Sequence, residues 1–408
     1  MLPSGWEKQA IGKLCQSIVP GRNKPKSFDG HIPWITTPEI QGRYIPSEVQ
    51  KNYVSLDAIK ESGAKIVPIG SVIISAVGEL GLTAIAKEEI VLNQQLHAFV
   101  CPDYISNEYL AYWLGTQKAY MECVASKTTI PYMNKANCES IPVAYPPLPE
   151  QQKIAKILST WDKAIEKLET LIAAKQKRKK ALIQQLLTGK KRFAQFVKSE
   201  GTQRSKFGTI PFDWQYLHIA DVAKQFSVKN NAGHDLPVLS CTKHYGLVDS
   251  LSYFGKQIFS EDTSTYKVVL KNSFAYATNH IEEGSIGYQN LYDKALISPM
   301  YTVFQTKENI NDEFLYRLLK TELYRHIFEV NTSASVDRRG SLRWDQFSAI
   351  KIPVPSLPEQ QKIASFFAVT DTEIQTHQKQ LSALKQQKKG LMQQLLTGKK
   401  RVKVAESA

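Results

Sequence analysis

The dominant feature of this sequence is a long internal repeat. A 45-residue block that begins LPEQQKIA and ends QQLLTGKKR starts at Leu148, and a related block with the same two ends starts at Leu357. At a constant offset of 209 residues the blocks align without a gap and share 23 identical residues, whereas unrelated sequences would share about 3. The chain is therefore a duplication, in which a variable segment is followed by a nearly constant block twice over.

Each constant block has the pattern of one long helix. A proline follows its first residue, a glutamate lies in the first turn, and a glycine precedes the closing Lys-Lys-Arg; these are typical helix start and stop signals. The stretch from Glu150 to Thr188 would extend about 58 Å as a helix. Apolar residues at alternating spacings of four and three predict a coiled-coil seam in both blocks. The seam residues are Ile154, Leu158, Trp161, Ile165, Leu168, Ile172, Leu182 and Leu186, then Ile363, Phe367, Ile374, Leu381, Leu384, Leu391 and Leu395.

The order of the segments predicts how the helices pack. The second variable segment separates the two helices, and a compact domain often has its termini close together. The second helix should therefore start near the end of the first and return antiparallel to it. The predicted fold class is α+β, with two similar mixed α/β globular domains separated by an antiparallel coiled coil and related by an internal pseudo-two-fold axis. The predicted boundaries are 1–147 and 208–356 for the globular domains, 148–192 and 357–401 for the helices, 193–207 for a linker and 402–408 for a tail.

The positive charge of the chain is concentrated in the constant blocks. The net charge is +14, from 52 Lys and Arg against 38 Asp and Glu, and the two blocks contribute +8 and +5. This basic surface could be a solvated helix face, a contact to phosphate or a contact to an acidic protein partner. Lys179 and Lys388 interrupt the seam at equivalent positions, as snorkelling stems or as partner contacts. The basic patch consists of Lys177, Arg178, Lys179, Lys180, Lys388 and Lys389.

Several classes of function have no motif in the sequence. No glycine-lysine pair is followed by Ser or Thr, no two glycines are two apart, and the histidines and five scattered cysteines show no metal-ligand spacing; these patterns would mark a nucleotide, dinucleotide or zinc site. We expect no catalytic residue, no metal and no cofactor in this chain. The longest apolar stretch, Ile66 to Val77, is too short to cross a bilayer, and the first residues do not form a signal peptide. We therefore expect a cytoplasmic protein with reduced cysteines.

The alternation of two variable domains with two helices marked LPEQQKIA and QQLLTGKKR resembles the specificity (S) subunit of type I restriction-modification enzymes. This resemblance extends over essentially the whole chain, and KIPVPSLPEQQKIA and VLSCTKHYGLV are especially similar to members of the family. It implies a non-catalytic subunit whose two target-recognition domains each bind one half of a bipartite, asymmetric site on double-stranded DNA. It also implies that the helix pair sets the half-site spacing and docks two methyltransferase (M) subunits, and that restriction nuclease-translocase (R) subunits join them. S-adenosylmethionine, ATP and magnesium would then be bound by those partners.

Residues that contact bases should be Arg, Lys, Asn, Gln and similar polar types on exposed loops. The stretch VDRRGSLRWD, from Val336 to Asp345, is the strongest candidate, because three arginines flank a glycine. The candidates in the first domain are Arg22, Asn23, Lys24, Gln41, Arg43, Tyr44, Lys127, Thr128 and Thr129. Those in the second domain are Lys229, Asn230, Asn231, Lys243, His244, Tyr245, Arg338, Arg339 and Arg343.

Three alternatives remain open at the level of sequence. The chain could be the specificity chain of a fused restriction-methylation enzyme, which the sequence does not distinguish from a type I subunit. It could be a stand-alone DNA-binding or architectural protein, which would bind one sequence tightly without partners. It could also be a coiled-coil scaffold with no DNA role, in which case selection from random DNA would enrich no motif.

Overall fold

The computed structural model describes residues 2–21, 23–47, 50–126, 129–205, 208–231, 233–332 and 341–404. The chain divides into two compact units: the first is Met1–Glu169 with Lys379–Ala408, and the second is Thr170–Gln378. In the described part of the chain, no helix combines the length and the apolar character needed to cross a membrane.

The first unit contains eleven strands among its described residues. They are β1 (Glu7–Ala10), β2 (Gln16–Ile18), β3 (Ile32–Ile35), β4 (Tyr44–Ile45), β5 (Tyr53–Val54), β6 (Ile66–Val67), β7 (Val72–Ser75), β8 (Thr83–Ala86), β9 (Ile90–Leu92), β10 (Leu96–Val100) and β11 (Pro142–Tyr145). Its helices are α1 (Ile11–Leu14), α2 (Leu56–Ser62), α3 (Asn107–Gly115), α4 (Lys118–Val124), α5 (Lys135–Glu139) and the first part of α6 (Leu148–Leu186).

The second unit repeats this plan with different details. Its described strands are β12 (Thr202–Ser205), β13 (Gly208–Pro211), β14 (Gln215–His218), β15 (Ala223–Gln225), β16 (Val238–Thr242), β17 (Gly246–Asp249), β18 (Lys267–Leu270), β19 (Ser273–Ala277), β20 (Ile286–Tyr288), β21 (Lys294–Ile297), β22 (Tyr301–Thr306) and β23 (Lys351–Val354). Its helices are α7 (Ile219–Val222), α8 (Ser250–Phe254), α9 (Asp312–Leu319), α10 (Glu322–Asn331), α11 (Trp344–Ser348) and the first part of α12 (Leu357–Leu395).

Corresponding sheets are found in the two units. The first unit has a five-stranded sheet in the order β2-β10-β7-β8-β4 and a four-stranded sheet in the order β5-β3-β9-β6. The second unit has β15-β22-β19-β20 and β17-β16-β21-β18. In each unit the strand before the first short helix also pairs with the last strand, β1 with β11 and β14 with β23. This pairing brings the two ends of each globular part together, as the predicted antiparallel return of the second helix requires.

The two long helices run antiparallel in the first unit. Asp162 of α6 forms an ion pair with Lys388 of α12, and Glu169 pairs with Lys385 at 2.6 Å. The residue number thus rises along one helix while it falls along the other. The end of α12 and the start of α6 join the core of the globular part, where Leu395 and Ile154 pack with buried residues of α3 and β11.

The second unit shows the same antiparallel order. Lys175 of α6 pairs with Glu373 of α12 at 2.7 Å, and Lys179 pairs with Asp371. The helices run from Leu148 rather than Glu150 and stop at Leu186 rather than Thr188, and α12 continues through Gly390. The predicted fold class, mixed α/β domains with two long antiparallel helices, is confirmed.

Candidate nucleic-acid interface

The turn between β16 and β17 carries three of the predicted DNA-contacting residues. Lys243, His244 and Tyr245 are all exposed, Tyr245 to 69%. Oγ1 of Thr242 accepts the N–H of Tyr245 at 3.0 Å and donates to the carbonyl of Gly246 at 3.2 Å. Gly246 has φ of +68°, a conformation that glycine adopts without a steric penalty. The turn is thus held by its own hydrogen bonds while its three side chains project outwards.

A largely buried lysine also supports this turn. The Lys320 ammonium, which follows α9, donates to the carbonyl oxygens of Lys243 and Gly284, each at 2.8 Å. Burial lowers the pKa of Lys320. A Cβ atom at Gly246 would lie 2.5 Å from the hydroxyl oxygen of Tyr316, so the turn packs closely on α9. Because the turn is already ordered in the free protein, binding a ligand costs it little conformational entropy.

The turn borders a groove in the second unit with a volume of about 690 Å³, which is also lined by Lys179, Lys180 and Asp371. Asp371 pairs with Lys179 and also with Arg317 of α9 at 2.9 Å. Lys180 is exposed beside the turn. The groove therefore presents positive charge of the kind that binds phosphate.

The equivalent groove of the first unit has a different charge. It has a volume of about 520 Å³ and is lined by Arg43, Lys388, Asp162, Glu166 and Glu169. Three carboxylates against two cations make it less suited to phosphate than its counterpart. The two equivalent grooves therefore favour different ligands, because their lining charges differ.

Arg43 is bound inside the first unit. Its Nε and Nη2 atoms donate to the carboxylate and the backbone carbonyl of Glu108 at 2.7 and 2.6 Å. Its guanidinium carbon lies 3.4 Å from the centroid of the Tyr112 ring, and its side chain is only 17% exposed. The prediction that Arg43 contacts a base is therefore corrected, because these contacts hold it against α3. The Tyr44 hydroxyl donates to the same carboxylate at 2.7 Å.

Lys179 and Lys388 are also engaged within the protein. Lys388 pairs with one carboxylate oxygen of Asp162, and the Tyr112 hydroxyl donates to the other; burial, with this hydrogen bond, raises the pKa of Tyr112. Lys179 pairs with Asp371 in the same way. Each of these lysines therefore joins two helices, and its contact with a partner or with phosphate stays a prediction. The other members of the basic patch, Lys177, Arg178, Lys180 and Lys389, are exposed.

Asn230 is a second correction among the candidates. It is 1% exposed, its Nδ2 donates to the carbonyl of His234, and its Oδ1 accepts the N–H of His234, both at 3.0 Å. These bonds close a local turn, so the side chain does not reach solvent. The remaining described candidates are exposed: Asn23, Lys24, Gln41, Thr129, Lys229, Asn231 and Arg343. Five candidates lie outside the described residues: Arg22, Lys127, Thr128, Arg338 and Arg339.

The predicted seam residues are all buried or half-buried, and Ile172 and Ile374 are buried away from the helix ends. Ile154 and Leu158 are completely buried in the first unit, and Ile363 and Phe367 in the second.

The ends of the constant blocks meet in an ion-paired cluster that sequence reasoning missed. In the second unit, Arg192 donates to the carboxylate of Glu359 through Nε and Nη2 at 2.9 and 2.8 Å, and to Asp213 through Nη1 at 2.6 Å. The Trp214 indole also donates to Glu359 at 3.2 Å. Glu359 is 1% exposed. We call this arrangement the clasp, and it joins the end of α6 to the start of α12.

The first unit has the same clasp with fewer partners. Arg401 donates to Glu150 through Nε and Nη2 at 2.8 and 2.7 Å, and to the carbonyl of Ser4 at 2.9 Å. The sequence signal for the clasp was that the glutamate and the arginine are identical in both constant blocks. Their contact explains why these positions are the same in both blocks.

The two units thus contain domains of the same plan, each packed on the two long helices and each exposing its own polar loops. The family model described as type I restriction modification DNA specificity domain matches residues 3–203 and again 211–386. This chain belongs to that family.

Curated relatives and solved structures agree with this assignment. The type I restriction enzyme MjaVIII specificity subunit of Methanocaldococcus jannaschii is 27% identical over 98% of this chain and 94% of its own length. The MjaIX specificity subunit of the same organism is 24% identical over 98% and 95%. The S subunit from M. genitalium has a TM-score of 0.55 at 16% identity and covers 96% of both chains. The HsdS subunit from Thermoanaerobacter tengcongensis has a TM-score of 0.51 at 16% identity over 97% of this chain and 98% of its own.

Proposed function

We propose that this specificity subunit recognises a bipartite, asymmetric DNA site, with each unit binding one half. The observation that carries the proposal is that the specificity-domain model matches both repeats, while the exposed turns of the two repeats differ in sequence. Two domains with one plan and different loops would contact two different half-sites. The chain itself would then be non-catalytic, with S-adenosylmethionine, ATP and magnesium on its partner subunits.

Methylome sequencing of cells that carry the chain with its methyltransferase tests this function. We expect one asymmetric motif made of two parts. Replacing residues 208–356 by the second domain of another family member should change one part and leave the other as it was. A change in both parts, or in neither, would contradict recognition by separate domains.

We propose that helix length sets the gap between the half-sites. The cross-helix ion pairs in each unit support this, because they hold α6 and α12 in one register. Inserting one heptad between Leu168 and Lys175, and a matching one after His377, would lengthen both helices by about 10.5 Å. The gap in the methylated motif should widen by about 3 base pairs at ~3.4 Å each. An unchanged gap would disprove the role of the helices as a spacer.

We also propose that each unit docks one methyltransferase subunit. Residues that are identical in both blocks and also exposed are not explained by packing. Near the helix ends of the first unit they include Gln152, Lys153, Gln393, Gln394, Lys399 and Lys400. In the second unit the equivalent set is Gln361, Lys362, Gln184, Gln185, Lys190 and Lys191. Each set combines the start of one helix with the end of the other, and the clasp holds these together, so the chain presents the same docking surface twice. Nuclease-translocase subunits would join this complex for restriction.

Native mass spectrometry tests the docking surfaces. The wild-type chain should bind two methyltransferase subunits. Lys153→Glu with Lys400→Glu should remove one of them, and Lys362→Glu with Lys191→Glu should remove the other. Lys177→Glu with Arg178→Glu, in the middle of α6, is the matched control. A wild-type complex with one methyltransferase would contradict the two surfaces.

A further inference from the structure

We infer that three exposed aromatic residues of the second unit, Tyr245, Tyr253 and Phe254, form a surface that packs against the bases of duplex DNA. This inference rests on the proposed function and identifies the side chains through which the second unit would recognise its half-site. We call the three residues the ring surface.

The rings of this surface contact one another instead of a core. The Tyr245 and Tyr253 centroids lie 6.0 Å apart at 60°, and those of Tyr253 and Phe254 lie 4.9 Å apart at 82°. Their exposures are 69%, 48% and 42%. Rings of this size bury a large area when they are covered, and contiguous exposed apolar residues mark binding surfaces.

The backbone under the ring surface is ordered without a ligand. Tyr245 lies in the hydrogen-bonded turn described above, and the other two rings lie on α8. The carboxylate of Asp249 accepts the N–H of Ser252 at 2.8 Å and the hydroxyl of Tyr292 at 3.1 Å, which caps α8 and ties it to the loop before β21. A preformed frame of this kind lets the rings bind at a small entropic cost.

The charges around the rings favour nucleic acid as the occupant. Lys243 and His244 are exposed in the turn, and Lys256 is exposed two residues after Phe254. Two carboxylates lie near these cations: Asp249 is used in the helix cap, and Glu322, whose pKa is lowered by its hydrogen bond to Arg325 and by the charge of Lys243, is paired with Arg325 at 2.8 Å. Lysine cations flanking exposed rings match phosphates flanking bases, and apolar side chains contact duplex bases by inserting between base pairs and partly unstacking them.

The first unit has no equivalent among its described residues. Helix α2 follows β5 as α8 follows β17, but α2 buries Ala58, Ile59 and Ser62 and exposes only an aliphatic residue, Leu56, as its large apolar side chain. The ring surface should therefore act on the half-site of the second unit alone.

Binding of the full chain, assembled with its methyltransferase, to a duplex carrying the methylated motif tests the inference. Tyr253→Ala and Phe254→Ala should each weaken binding about tenfold, while Tyr253→Phe should stay within about twofold of wild type. Because no charge is removed, the slope of log affinity against log salt should not change. Compared with wild type, the alanine variants should tolerate substituted base pairs better in the half-site of the second unit. Their tolerance in the half-site of the first unit should not change.

Phe212→Ala is the matched control, since Phe212 is an aromatic residue of the same unit, exposed to 67% and outside the ring surface. Wild-type affinity in the alanine variants would overturn the inference. Loss of methyltransferase from the complex, with unchanged affinity per assembled complex, would also overturn it and assign the rings to a protein contact. A wild-type complex that methylates no bipartite motif would instead contradict the proposed function.

Discussion

In the first unit, Arg43 is held by Glu108 and by the ring of Tyr112. In the second unit, the turn between β16 and β17 exposes Lys243, His244 and Tyr245. The clasps, in contrast, are alike in the two units, because each pairs a glutamate with an arginine that are identical in both constant blocks. The clasp residues, which hold the two helices together, are thus the same in both units, whereas the turn residues differ between the units.

The largest expected effect concerns the two clasps. Glu359→Ala should reduce the free energy of opening of the second unit by about 3–5 kcal/mol, because it leaves a buried arginine charge with fewer partners. Glu150→Ala should cost the first unit only about 1–2 kcal/mol, since the Arg401 side chain is 45% exposed against 8% for Arg192.

Hydrogen exchange measured by mass spectrometry reports the opening of each unit separately. Trp214→Phe removes the indole donor to Glu359 and part of a buried ring that faces Arg192, and it serves as the milder variant because the Glu359–Arg192 pair is kept. Equal losses in the two units would show that burial of the arginine does not decide the strength of the clasp.

The second effect is a difference between the two units in how their stability depends on pH. His97 of β10 is 3% exposed, and burial lowers its pKa from 6.5 to about 4. The other seven histidines, all within the described residues, are exposed or half-buried. A histidine with a lowered pKa binds more protons in the unfolded state, so its contribution to stability is complete above pH 6.5 and is lost as the pH falls towards 4.

Acidification from pH 7 to 5 should therefore cost the first unit about 2 kcal/mol, and the second unit less. Hydrogen exchange at the two pH values measures this difference. His97→Gln should remove the difference, because glutamine does not titrate. A first unit that keeps the same pH dependence in that variant would contradict the role of His97.

The smallest effect separates Arg43 of the first unit from Lys243 of the second. Arg43→Met should destabilise the first unit by about 1–2 kcal/mol, since it removes a charge-assisted hydrogen-bonded pair. Lys243→Met should change the stability of the second unit by less than about 0.5 kcal/mol but lower the salt slope of DNA binding by about 1. Thermal unfolding and a salt titration measure the two quantities. An unchanged salt slope in the Lys243 variant would remove this residue from the DNA contacts.

Part of the candidate site could be predicted from residue type alone. Lys243, His244 and Tyr245 are polar or amphipathic residues before a glycine, and the structure exposes all three. Tyr253 and Phe254 were missed because aromatic residues at ordinary spacing usually belong to a core. Asn230 was chosen for its residue type, but its side chain closes a local turn instead.

The sequence by itself determined the duplication and the two helices, because heptad periodicity and helix stop signals act over a few residues. It also determined their antiparallel order, because a compact domain with its termini close together lies between the two helices. Only the tertiary structure decided which charges meet. Arg401 and Glu150 are 251 residues apart in the chain, and Lys388 and Asp162 are 226 apart. A lysine in a seam has the same local pattern whether it pairs with an aspartate or projects to a partner. The difference depends on the residue that the opposite helix places beside it, and that is fixed by long-range packing.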